Sequence, residues 1–114
     1  MSQTINISIS GTFPNYAISF DSTPQPVPYG KTDTIGYEMA TPGFSIVAVN
    51  MQRDPFSSAD QLIWAIPTGG QSLILTDNNT DKVATTFGVE IVFADKSGNM
   101  FSSPDPEVIN EGEG

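Results

Sequence analysis

At 114 residues and 12.2 kDa, with 38% hydrophobic and 15% charged residues, the chain is one globular domain with a single core and is not disordered. Its formal net charge of -9, from 13 Asp+Glu against 4 Lys+Arg, argues against a nucleic-acid partner and against an anionic membrane. With no Cys and no His, thiol nucleophiles, disulfides, Cys/His zinc sites and imidazole triads are excluded, and neither cofactor nor metal is expected.

A period near 2 runs through the chain. Ile5, Ile7 and Ile9 alternate with polar residues. Tyr16, Ile18 and Phe20 repeat the pattern, and Ile35, Tyr37 and Met39 form a third strand from Thr34. Phe44 to Gln52 is continuously apolar, which predicts a central strand covered on both faces. Leu62, Trp64 and Ile66 share the next face, with Trp64 read as core. Leu73 to Leu75 mark another strand, Val83 to Ala94 the longest, and Asn99 to Ser103 a short last one. Gly- and Pro-rich turns separate these runs, and one helical turn is conceivable at Ser57 to Gln61. Seven to eight short strands predict an all-β fold, an antiparallel β-sandwich, with a small barrel as the next choice.

Met1 to Ser10 lacks a basic stretch before a long apolar run, so no signal peptide is expected. No window approaches the ~20 apolar residues of a membrane helix, and a cytoplasmic setting is expected. Ser22 to Pro28 is Pro-rich and reads as a stiff connection. Asp77, Asn79 and Asp81 have the spacing that opens a calcium loop, but Lys82 and Gly88 stand where its Gly and Glu belong. The segment is therefore expected to be a solvated turn. Asp54-Pro55 reads as another turn.

The second Asp-Pro pair, Asp105-Pro106, comes after a predicted hairpin, Val89 to Ala94, Asp95 to Gly98 and Asn99 to Pro104. A two-residue Ser97-Gly98 turn makes paired positions sum to 195 and sets Glu90 opposite Asp105. A type I turn over Lys96-Ser97 with Gly98 as a bulge makes the sum 194 and sets Glu90 opposite Pro104. An Asp-Pro bond is acid-labile because the Asp carboxyl reaches its own carbonyl carbon and the proline nitrogen is a comparatively basic leaving group. Two carboxylates held side by side do not both ionise easily, so such a pair retains a proton for the leaving group. Glu90 is the register candidate for this work, with Asp81 and Asp95 behind it. Lys96 and Lys82 are the amines that would replace water in a crosslink.

The run Phe101-Ser102-Ser103-Pro104-Asp105-Pro106-Glu107-Val108-Ile109-Asn110, preceded by Val89 to Gly98, resembles the C-terminal signature of the DP-EP family of small bacterial β-sandwich proteins. Leu73 to Asp81 fits the same pattern loosely. The resemblance implies self-cleavage between Asp105 and Pro106 by an aspartic-peptidase-like route, with a carboxylate activating water. The chain would then be its own substrate, with residues 1–105 as the sandwich and 106–114 as the segment released or left docked. The rival reading is a non-catalytic binding or assembly module whose open sheet edges recruit a partner strand.

Overall fold

The computed structural model describes residues 2–53, 62–79, 84–103 and 107–111. The Asp54-Pro55 turn and the helical turn expected at Ser57 to Gln61 lie outside these residues. All the regular elements described are strands: β1 (Ser2–Ser10), β2 (Ala17–Phe20), β3 (Thr32–Met39), β4 (Ser45–Arg53), β5 (Leu62–Ala65), β6 (Ser72–Asn78), β7 (Thr85–Ala94), β8 (Met100–Ser102) and β9 (Glu107–Asn110). They form a five-stranded sheet in the order β2-β1-β3-β6-β5 and a four-stranded sheet in the order β4-β7-β8, with β9 also on β7. Ile5, Ile7, Ile35, Tyr37, Leu73 and Leu75 from the first sheet meet Ile46, Phe87, Val89, Ile91, Phe93 and Val108 from the second in one core. The fold is an all-β sandwich, as the alternation predicts.

The strands pair antiparallel except β1 and β3, which run parallel from Ser2 opposite Thr34 to Ile7 opposite Met39. Side-chain alternation carries no strand direction, so this pair was not legible. Parallel neighbours need a long crossover, and β2 with the Pro-rich segment supplies it. That segment is a strap across one side of the sandwich. The Gln25 N–H donates to Gln3 Oε1 at 2.7 Å on β1, and the Val27 N–H donates to the Ile109 carbonyl at 2.9 Å on β9.

Two expectations need correction. β4 is not a central strand: it lies at the end of its sheet order. Its unbroken apolar run comes from a bulge at Val47, between Ile46 opposite Phe93 and Ala48 opposite Val92. The extra residue resets the alternation, so Ile46 and Val49 both face the core while Val47 is 43% exposed. Gly70 packs against this bulge: its carbonyl accepts from the Ile46 N–H at 2.7 Å, and a Cβ there would stand 2.6 Å from the Ile46 carbonyl oxygen. Trp64 is not core. It lies on β5, the end strand of the other sheet, and is 46% exposed.

Candidate functional site

The hairpin between β7 and β8 sets the register of the Asp-Pro segment. The Gly98 N–H donates to the Asp95 carbonyl at 3.1 Å, closing a turn over Lys96 and Ser97. Gly98 comes next at φ +85°, a backbone conformation that glycine adopts without strain. This is the bulged turn, and β8 takes its register: Val92 opposite Ser102, Phe93 opposite Phe101, Ala94 opposite Met100, each summing to 194. Further along the same edge of β7, β9 takes the other register. Gly88 faces Glu107, Phe87 faces Val108 and Thr86 faces Ile109, each summing to 195.

Both registers therefore occur, and the change falls between two anchors. The first is Ser103, which is buried. Its N–H donates to the Ile91 carbonyl at 2.9 Å, and its Oγ accepts from the Ile91 N–H at 3.2 Å. A side-chain oxygen thus takes the ladder bond that a main-chain carbonyl ordinarily accepts. The second anchor is Glu107 opposite Gly88. Between the anchors β7 has two residues, Val89 and Glu90, while the sequence from Ser103 to Glu107 has three between them, Pro104, Asp105 and Pro106. Two prolines, which lack the N–H a ladder needs, suit an interval with one residue too many. Asp105 and Pro106 themselves lie outside the described residues.

Glu90 lies on β7, in the interior of its sheet, between the partners of the two anchors. Val89 and Ile91 are buried, so Glu90 points to the outer face, half-buried. Its Oε1 accepts from Asn50 Nδ2 at 2.9 Å on the facing strand β4. This leaves a carboxylate on β7, between the partners of the two anchors, with one oxygen oriented by an amide.

The family model of the DP-EP family matches residues 3–112. The chain belongs to the DP-EP family. Among curated proteins none matches it.

The other candidates in this DP-EP chain fall in different places. Asp81 and Lys82 lie outside the described residues. Asp95 caps the hairpin. Its Oδ1 accepts from the Ser97 and Asn99 N–H groups, each at 2.9 Å, and its Oδ2 from Asn99 Nδ2 at 3.0 Å and the Tyr16 hydroxyl at 2.8 Å. The Asn99 amide, assisted by Tyr16 and the two backbone N–H groups, holds the Asp95 carboxyl below its ordinary 3.8. Asp95 is five residues from Glu90 along β7, about 16 Å at the rise of a strand. Lys96 is at the turn beyond it and lies over Gly43, lining with Tyr16 and Phe44 an open cleft of about 240 Å³.

The hydrogen bonds on Asp95 predict a signed pH effect. A carboxyl held low stabilises the fold fully above its unfolded value and loses that contribution as the pH falls through its folded value. The stability advantage of the wild type over Asp95→Ala should be full above about pH 4 and shrink below it. Urea midpoints of both proteins between pH 7 and 2 measure this. A constant gap would contradict the Asp95 assignment.

Of the segment expected to be a solvated turn, Asp77 and Asn79 are buried rather than solvated, and Asp81 lies outside the described residues. Asp77 is on β6 in phase with Leu73 and Leu75, 0% exposed, and directly opposite Asp33 on β3, 2% exposed. Asp33 Oδ2 accepts from Gln3 Nε2 at 2.6 Å, and its Oδ1 from the Thr34 N–H at 2.9 Å. Sequence reasoning missed this facing pair of inward carboxylates, although extending the Ile35 and Leu75 alternation by one step each way finds it. Asn79 is also buried, and its amide reaches across to the strap and the C-terminal strand.

Proposed function

We infer that the protein processes itself by cutting the Asp105–Pro106 bond. The observation that carries this is the pair of anchors that flank the bond in sequence, Ser103 on Ile91 and Glu107 opposite Gly88, with Glu90 on β7 between their partners. Family membership supports the same reading. In the reaction a carboxylate takes a proton from water, and the resulting hydroxide adds to the Asp105 carbonyl carbon. The C–N bond then breaks, and a carboxylic acid returns a proton to the Pro106 nitrogen. The products are a chain ending in the Asp105 α-carboxylate and a peptide beginning at the Pro106 amine. Glu90, on β7 between the partners of the two anchors, is the carboxylate we assign to take the proton. The substrate is the chain itself, one turnover per molecule.

Denaturing intact-mass spectrometry of fresh protein, followed over days, tests this. Two fragments dividing between 105 and 106, with masses summing to the parent plus one water, are expected. Capture by a lysine in place of water would leave the large fragment one water lighter. An unchanged full-length mass, before and after refolding, would overturn the reading.

A second reading has its own observation. β5 ends the five-stranded sheet with no charged residue and no proline from Leu62 to Ala65, and Ile63 and Trp64 are exposed. Such an edge lacks the usual protection against strand addition and suits an assembly module. An intact mass that never changes would favour it.

A further inference from the structure

We propose that Asn79 is a positioning residue for cleavage of the Asp105–Pro106 bond, because it holds the far end of β9, the strand that follows this bond in the sequence. This rests on the self-cleavage reading above.

β9 spans only four residues, and pairing with β7 supports one of its edges. A strand this short, paired along one edge, frays unless it is tied down elsewhere. Val27 brackets its other edge. The Val27 N–H donates to the Ile109 carbonyl, and the Glu111 N–H donates to the Val27 carbonyl, both at 2.9 Å. Asn79 closes the arrangement from the opposite sheet. Its Nδ2 donates to the Val27 carbonyl and to the Glu111 carbonyl, both at 2.8 Å. One buried amide thus holds the strap and the end of β9 together.

The amide is itself fixed. The Asn79 N–H donates to the Lys31 carbonyl at 3.1 Å, and its carbonyl accepts from the Gly30 N–H at 2.8 Å. Its Oδ1 makes no hydrogen bond among the described residues, so the side chain acts through its two donors. An aspartate has the same shape and neither donor when ionised. A glutamine is one methylene longer.

The link to the chemistry is mechanical. β9 begins at Glu107, directly after Pro106, so what holds β9 fixes one end of the chain that carries the bond, and attack geometry tolerates little misplacement.

Asn79→Ala and Glu111→Pro attack the latch at different atoms, the second by removing the N–H donated to Val27. Both are made in the full-length chain and studied while folded. Cleavage should slow by roughly tenfold or more in each. Amide exchange should quicken at Val27 and in β9. Ile9→Val, a core change at the other end of β1, serves as a stability control and should cleave at the wild-type rate.

A wild-type rate in folded Asn79→Ala overturns the proposal, as does an equal slowing in Ile9→Val. If Asn79→Ala does not fold, the Glu111→Pro rate decides. If the wild type never cleaves, the self-cleavage reading falls and this role with it. If the wild type cleaves and the latch variants keep pace, only the role of Asn79 falls.

Discussion

Asp105→Asn should keep the purified chain at full mass under conditions where the wild type divides, a slowing of roughly 10²-fold or more. The substitution keeps the size and shape of the side chain and removes the carboxylate beside the scissile carbonyl. Asp54-Pro55 serves as an internal control. If lability were a property of the dipeptide alone, both bonds would break at similar rates. If the anchored interval on β7 directs the reaction, only the second breaks, and unfolding in urea stops it. Cleavage at the wild-type rate in Asp105→Asn would contradict the proposed chemistry. Glu90→Gln keeps the bond from Asn50 to the Oε1 position and removes the ability to take a proton from water. It should also cleave more slowly, which separates Glu90 from the more distant Asp95.

The second large effect is retention of the severed peptide. Four residues of β9 pair with β7, Val27 and Asn79 hold its other edge, and Val108 is fully buried in the core. The cleaved wild type should therefore keep residues 106–114 under native conditions and lose them only on denaturation. Val108→Asp places an unpaired carboxylate in that core position. The cost is about 3 kcal/mol or more, which weakens retention roughly 100-fold. Native mass spectrometry of the cleaved proteins reads this directly. Retention of the peptide by cleaved Val108→Asp at wild-type strength would show that burial of Val108 is not what holds it.

Much of the fold was legible because inward and outward residues alternate so regularly. Ile5, Ile7 and Ile9 face the core as a period of 2 requires, and Phe87, Val89, Ile91 and Phe93 do the same on β7. The failures have identifiable causes. At Val47 a bulge breaks the period, so an edge strand mimics a buried one. At Trp64 the residue has the right phase but sits on an end strand, where the core no longer covers it. Both candidate registers of the Asp-Pro hairpin were written in the sequence. The choice between them was not, because each turn type is compatible with the same glycine. That both occur, one after the other along β7, depends on tertiary anchors that no local pattern encodes: the Ser103 hydroxyl on Ile91 and the Val27 strap on β9. Asp77 and Asn79 were misread because polar residues between strands ordinarily signal solvent. Here Asp77 stands at register distance from Asp33 on β3, and the Asn79 amide donates to carbonyls of two distant segments, at Val27 and Glu111.

The register of β9 also bears on what a cut at Asp105–Pro106 would leave behind. Val108 faces the core opposite Phe87, and a one-residue slip of β9 along β7 would turn Val108 outward and Ile109 inward. A severed segment would therefore not creep along β7. It would hold its original place or come away altogether, with the buried valine as the detent that makes the choice all-or-none.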